Sequence, residues 1–300
     1  MKIIDTFLFS EPHEKDLLKV KFNLENNVVD KWVILESEYT FQGQYKGFHA
    51  ENILKLPEFK DFIHKVVVVR TPEGFNPLHG GVNEEGKNFD RENHQRAMAI
   101  HYINQECDNE DWIMISDTDE AIDFSDNNRK NIVLDLLNSQ GLTCIKIQRM
   151  RYWYDFDNRC YLKDIHIPLV KAGLIKANNQ AICMRHYDIT KANYNDDYAV
   201  AFEYSYCFPS LEDVWRKKQT YSHTGFTLES VENGLKYNHW PRSILRGEKV
   251  GNDPYDFFER VTLEEHNSPK YVRDNLESLK TNIVDINYKE NRGIIYGIQS

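Results

Sequence analysis

Residues 111–123 read DWIMISDTDEAID. Five mostly apolar residues, Trp112 to Ser116, run straight into Asp117, Asp119 and Glu120. An apolar run of this length reads as a buried strand. Two carboxylates one residue apart repel each other and settle only beside positive charge. Upstream, 3–9 (IIDTFLF), 28–37 (VVDKWVILES) and 65–70 (KVVVVR) also read as strands. Helix-like patterns lie between them, at 14–24 (EKDLLKVKFNL) and at 89–105 (FDRENHQRAMAIHYINQ), the latter with Asp90 as N-cap. Strands alternating with helices predict an α/β protein with a largely parallel sheet. Ligands of such sheets bind beyond the carboxyl ends of the strands, where the acids of 117–120 stand. The second half is less regular. It holds one or two strands within 143–156, a helix over 209–222 capped by Ser210, and a helix over 268–284 with Pro269 near its start. No repeat or linker divides the 300 residues, so a single domain is expected.

Net charge is −10, with 37 Lys and Arg against 47 Asp and Glu. This excludes a nucleic-acid binder that relies on a general basic field. The five cysteines are widely spaced and form no CxxC pair, which argues against a zinc site or disulfide framework and for reduced thiols. No stretch reaches the roughly 18 apolar residues of a membrane span, and the first residues do not read as a leader. Together these features lead to the expectation of a cytoplasmic protein.

A D-x-D at a strand end suits a hard divalent cation, Mn²⁺ or Mg²⁺, which prefers carboxylate oxygens and keeps positions open for phosphate. The competing reading is a solvated acidic loop that caps the following helix near Asn127. An EF-hand fails on spacing, because its fifth, sixth and twelfth positions would be Ala121, Ile122 and Asn128. A Mg²⁺-dependent phosphohydrolase with Asp117 as nucleophile is a further alternative, although Ala121 stands where such enzymes carry Thr or Val.

Five segments in order carry a resemblance to a known family. They are NNVVDKWVILESEYTFQG (26–43), SDTDEAID (116–123), AFEYSYCFPSLED (201–213), RSILRGEK (242–249) and PKYVRDN (269–275). The chain resembles glycosyltransferase family 17, that of the bisecting N-acetylglucosaminyltransferases. The resemblance implies a GT-A type fold, a UDP-sugar donor (most readily UDP-N-acetylglucosamine), a divalent metal, inversion at the anomeric carbon and a glycan acceptor. It implies that Asp117 and Asp119 hold the metal and diphosphate, with His223 as third ligand, and that Glu120 contacts the donor sugar. Glu36 would meet uracil or ribose, and its plainer reading is a strand-end acid bonded to backbone. Arg96 matches a helix arginine. Arg91 and Gln95 lie one turn apart on that helix and would share a face turned to the Asp pair or to phosphate. Arg246 and Lys270 would clamp the diphosphate. Glu203 stands where the family carries His and would serve as the catalytic base, although Asp155, Asp196 and Asp197 are unplaced acids in the same half.

The expectation is therefore a metal-dependent inverting glycosyltransferase with a single mixed, mostly parallel sheet flanked by helices over residues 1–300. Residues 1–123 would bind the nucleotide sugar and 124–300 the acceptor, with no nucleic acid and no membrane span. A non-catalytic glycan-binding protein of the same fold is the third reading, prompted by Glu203 and Ala121.

Overall fold

The computed structural model describes residues 1–71, 84–178, 191–193, 199–222, 227–236, 258–263 and 268–279. The first half builds a parallel sheet from β1 (Ile3–Phe9), β2 (Lys31–Glu36), β3 (Val66–Arg70) and β4 (Trp112–Asp117), in the order β3-β2-β1-β4. Helix α1 (Lys15–Glu25) connects β1 to β2, and α2 (Ala50–Leu54) lies between β2 and β3. The crossover to β4 carries α3 (Glu84–Ala97) and α4 (Ala99–Glu106). The single helix expected over 89–105 is thus two, which meet at Met98. There the regular ladder gives way to three-residue bonds, from the Met98 N–H to Gln95 O and from the His101 N–H to Met98 O.

Every residue of β1 is buried, as in a central strand covered on both faces. Ile3, Phe7 and Phe9 join one core with Phe22 and Trp32 of the α1–β2 unit. Ile4 and Leu8 join the core on the other face with Ala99, Ile103 and Ile115. The period-2 alternation of side chains divides the two.

The second half departs from the parallel expectation. β5 (Glu120–Ile122), α5 (Asn127–Leu137), β6 (Cys144–Trp153) and β7 (Asn158–Lys171) follow, then α6 (Ala172–Asn178), β8 (Lys191–Asn193) and β9 (Ala201–Ser205). β7 inserts antiparallel between β4 and β6, and β5 closes the edge antiparallel to β9, while β8 and β9 run parallel to β6. A short β10 (Phe258–Arg260) pairs antiparallel with β7, completing a ten-stranded mixed sheet flanked by helices. Helix α7 (Leu211–Thr220) is capped by Ser210, whose hydroxyl accepts the Asp213 N–H at 3.1 Å, as the sequence predicts. The last described helix runs from Lys270 to Leu279. Cys107, Cys144, Cys160 and Cys207 are free and buried. Among the described residues no helix is long and apolar enough to cross a membrane.

Candidate functional site

β4 ends at Asp117 and β5 begins at Glu120, so the acidic run is a two-residue turn at the carboxyl end of a central strand. Three bonds fix the turn. The Thr118 hydroxyl donates to Leu8 O at the end of β1 (2.5 Å), the Tyr204 N–H donates to Asp119 O (2.8 Å), and the Asp117 N–H donates to Glu120 Oε2 (2.9 Å). The middle residue of the D-x-D is therefore an anchor to β1.

The positive charge that the sequence calls for is present. Arg96 of α3 is buried and places Nη2 2.6 Å from Asp117 Oδ1, Nη2 3.1 Å from Glu92 and Nη1 3.2 Å from Ser116 O. Glu120 lies directly opposite Glu203 in the β5–β9 ladder, a like-charge pairing that destabilises a sheet. Arg149 of β6 resolves it. One guanidinium nitrogen pairs with Glu120 Oε1 and the other lies 3.0 Å from Glu203 Oε2. Arg151, two residues along the same strand face, adds a contact of 2.8 Å to Glu203 Oε2. The Ser205 hydroxyl occupies the other Glu203 oxygen.

These groups line one cavity of about 280 Å³. Six carboxylates face it (Glu14, Glu92, Asp117, Asp119, Glu120, Glu203), against the four cations Arg96, Arg149, Arg151 and Lys217, for a formal balance of −2. Lys217 of α7 pairs with Glu14; burial pulls its pKa down, but Glu14 and Asp119 outweigh that and hold it above the usual lysine value. Asp119 differs from its neighbours, because no donor among the described residues hydrogen-bonds its side chain. Burial, with Asp117, Glu203 and Glu120 adding repulsion against the pull of Lys217, pushes its carboxyl up to about 7. Tyr206, which also lines the cavity, takes the left-handed conformation at φ 56°, rare for a bulky residue and characteristic of functional sites.

A divalent cation fits this donor set. Mg²⁺ and Mn²⁺ are commonly held by one or two carboxylates and complete their shell with water and substrate phosphate. Asp119, with no hydrogen-bond donor among the described residues, beside Asp117 in a cavity two charges negative, suits that mode. Among the described residues no three His, Cys, Asp or Glu side chains already form a metal cluster, so phosphate and water would supply the remaining positions.

The cavity brings together Asp117, Asp119, Glu120, Arg96 and Glu203. Glu120 has each oxygen engaged, one by the Asp117 N–H and one by Arg149, so it supports the turn. Glu36, Arg91, Gln95 and Lys270 do not line it. Glu36 Oε1 accepts the N–H groups of His49 (2.5 Å) and Ala50 (2.9 Å) at the start of α2, which is the plainer reading of that acid. Gln95 donates to the carbonyls of Leu35 (2.5 Å) and Phe9 (3.4 Å), locking α3 onto the sheet. Lys270 is exposed and pairs with Asp274 on its own helix. His223, Arg246, Asp196 and Asp197 lie outside the described residues. Asp155 is buried outside the cavity lining, its carboxylate accepting the Phe156 N–H at 2.9 Å. Arg149, Arg151 and Lys217 went unread in the sequence. The two arginines had a signal, because QRMRYW (148–153) sets them two apart on a strand; Lys217 had none.

Arg91 props a turn. Its Nη1 donates to Phe41 O (2.9 Å), and its guanidinium packs on Gly43, which sits at φ 86°. A Cβ there would fall 2.7 Å from Arg91 Nη2. Gly43→Ala is expected to lower stability by about 1–2 kcal/mol, since a left-handed Ala costs that much even after Arg91 yields. Gly43→Asn, whose side chain tolerates this region, should cost less. Urea denaturation of both variants tests the order, and a Gly43→Ala protein as stable as wild type refutes it.

The sequence profile of glycosyltransferase family 17 matches residues 1–254. Among solved structures, similarity extends to mannose-6-phosphate isomerase from Helicobacter pylori (14% identity, TM-score 0.34, 58% of this chain and 73% of that one). It extends also to the galactosyltransferase LgtC in complex with donor and acceptor sugar analogues (8%, TM-score 0.33, 77% and 100%) and to an active-site mutant of LgtC (12%, TM-score 0.29, 63% and 60%). Among curated proteins none matches the sequence.

Proposed function

This chain belongs to glycosyltransferase family 17, and from that membership and its acidic, arginine-walled cavity we propose that it moves N-acetylglucosamine from a UDP-sugar to a hydroxyl of a glycan acceptor, with inversion and with Mn²⁺ or Mg²⁺. The observation that carries the reading is the Asp119 carboxylate, which no donor among the described residues hydrogen-bonds, in a cavity that also holds four cations. Asp117 and Asp119 would hold the metal, which would supply charge neutralisation to the departing diphosphate. Residues 1–123 supply the D-x-D turn and 124–300 the arginines and Glu203 of the same cavity, so both halves of one GT-A domain serve the donor.

Arg149, Arg151 and Lys217 line the same cavity as Asp117 and Asp119 and would offer a diphosphate charge-assisted bonds, bidentate from the arginines. In the ligand-free protein both arginines hold Glu203. Their transfer to phosphate releases it. Glu203 then takes the proton of the acceptor hydroxyl as that oxygen bonds to the anomeric carbon and the carbon–phosphate-oxygen bond breaks on the opposite face, leaving UDP. A phosphohydrolase is less well served, because the nucleophile it requires, Asp117, is clamped by Arg96.

Calorimetric titration of UDP and UDP-sugars, with Mn²⁺ and with chelator, tests the reading. Metal-dependent UDP binding is expected, and no UDP binding with any metal overturns it. Glu203→Gln should keep UDP affinity within a few fold while transfer falls about 10²–10⁴-fold, the usual weight of a general base. Unchanged transfer would remove Glu203 from that role.

A further inference from the structure

Helix α7 separates two cavities. Its Lys217 and the following Tyr221 line the acidic one. Glu212, Trp215, Arg216 and Gln219, spaced i, i+3, i+4 and i+7, form a different face that lines a second cavity of about 480 Å³. That volume falls within the roughly 300–1,000 Å³ of small-ligand sites. The opposite wall is the turn 40–46, which supplies Thr40, Gln44, Tyr45 and Lys46. We propose that this second cavity is an oligosaccharide subsite, in which Tyr45 and Trp215 stack on the apolar face of a neutral sugar and the amides of Gln44 and Gln219 bond its hydroxyls.

Three observations select that ligand. First, the charges cancel. The cavity holds two acids, Glu11 and Glu212, and two cations, Lys46 and Arg216, and Glu11 already pairs with Arg216 at 2.8 Å. A diphosphate or nucleotide would find two cations here, one of them already paired, against the four that line the cavity on the other side of α7. Second, the lining pairs aromatic surface with neutral donors and acceptors. A pyranose presents this same combination, with C–H groups on its faces and hydroxyls at its rim.

Third, Tyr45 is held out of the core by a built turn. It is 71% exposed, yet the turn beneath it is bonded throughout. The Thr40 N–H donates to Gln44 O (2.8 Å), and the Gln44 N–H donates to the Thr40 hydroxyl (3.1 Å). Gln42 Nε2 donates to the carbonyls of Lys218 and Tyr221, both at 3.1 Å, and the Phe41 N–H donates to Thr220 O at 3.1 Å. The Tyr39 ring backs Tyr45 edge to face, with centroids 5.6 Å apart. Fixing an aromatic platform before the ligand arrives lowers the ordering cost of binding. Because Phe41 of the same turn lines the acidic cavity, the turn spans both sites. The source of the sugar, the part of the acceptor glycan remote from the reacting hydroxyl, rests on the proposed transferase reading; the saccharide site itself does not.

Saturation-transfer NMR on the full chain tests it, with N,N′-diacetylchitobiose, lactose and mannobiose as probes, each measured with and without UDP and Mn²⁺. At least one disaccharide should receive saturation in both conditions, and its affinity should weaken about tenfold in Tyr45→Ala, the loss of one aromatic contact. Tyr45 is exposed, so that variant should fold; Gln219→Ala on the facing helix gives an independent second reading. Transfer to none of the three sugars, or an affinity unchanged in both variants, overturns the proposal. So does a tetraglycine control that shows the same dependence on Tyr45. Calorimetry with UDP separates the two claims: sugar contact at Tyr45 without UDP binding leaves this site standing and removes the nucleotide-sugar reading, and the reverse removes only this site.

Discussion

Asp119→Asn is expected to abolish sugar transfer and, at the same time, to stabilise the ligand-free protein at pH 8. The loss of activity follows if Asp119 is a metal ligand. Forfeiting several kcal/mol of charge stabilisation on the departing diphosphate lowers the rate by about 10³-fold or more. The gain in stability follows from the same carboxylate. Its pKa rises from an ordinary 3.8 to about 7, first through burial and then through Asp117, Glu203 and Glu120. Between those two values the folded protein keeps a proton that the unfolded chain has released. Stability therefore falls as pH rises through this window, and the cost is complete above about pH 7. Three pH units correspond to at most about 4 kcal/mol, and solvent at the open cavity reduces this to about 1–2 kcal/mol. Asn keeps the shape without the charge, so its advantage should appear at pH 8 and vanish near pH 4. Urea denaturation of both proteins at the two pH values measures it. An Asp119→Asn protein no more stable than wild type at pH 8, or equally favoured at pH 4, would show that no electrostatic strain is stored there.

The strands that place this carboxylate were legible because their signal is local. IIDTFLF and WIMIS are short, mostly apolar runs, and each became a buried strand within a residue or two of the expected bounds. The position of Asp117 and Asp119 beyond a central strand followed from that alone. The rest depends on pairing across long stretches of chain. β5 has three residues, and Glu120-Ala121-Ile122 is a strand only because Phe202 and its neighbours pair with it. The sequence reading of this stretch, a strand end followed by a metal-binding D-x-D or a helix-capping acidic loop, contains no strand at 120–122. With it went the meaning of Glu203, whose cross-strand partner is Glu120 and whose charge is balanced by Arg149 and Arg151. Arg91, Gln95 and Arg96 show the limit of helical periodicity. All three sit on α3, but only Arg96 turns to the acids, because Gln95 is drawn to the carbonyls of Phe9 and Leu35 and Arg91 to the turn at Phe41. Antiparallel β7 escaped the reading because nothing local announces the direction in which a strand will pair.

The largest stability effect is expected beneath the turn, at Lys21. In the sequence it is one of several lysines on an amphipathic helix, and in the structure it is fully buried. Its ammonium lies 2.7 Å from Asp5 Oδ2 and 3.2 Å from Glu25 Oε1, and donates to Ser116 Oγ (2.9 Å) and Glu120 O (2.6 Å). Glu25 in turn accepts from Trp32 Nε1 at 2.9 Å, and Ser116 donates to Asp5 Oδ1 at 2.7 Å. One cation thus joins β1, α1 and both strands flanking the D-x-D turn. Lys21→Met retains most of the volume but leaves two buried carboxyls without their counter-charge, which costs about 3–5 kcal/mol. Burial already pushes Asp5 and Glu25 above the usual carboxylate range against the pull of Lys21, and removing Lys21 pushes them further. Groups whose folded pKa is raised cost stability above it and regain it as pH falls, so the Lys21→Met deficit should shrink between pH 8 and pH 4. Adding Asp5→Asn should restore part of the loss by removing one uncompensated charge. Urea denaturation of the single and double variants at both pH values decides the matter. A deficit that is the same at both pH values would assign the loss to packing. Lys21 also holds Glu120 O, so on the proposed nucleotide-sugar reading the surviving fraction of Lys21→Met should bind UDP and metal less tightly than wild type even at low temperature, where it remains folded. That coupling distinguishes a residue that positions the acidic turn from one that only fills the core.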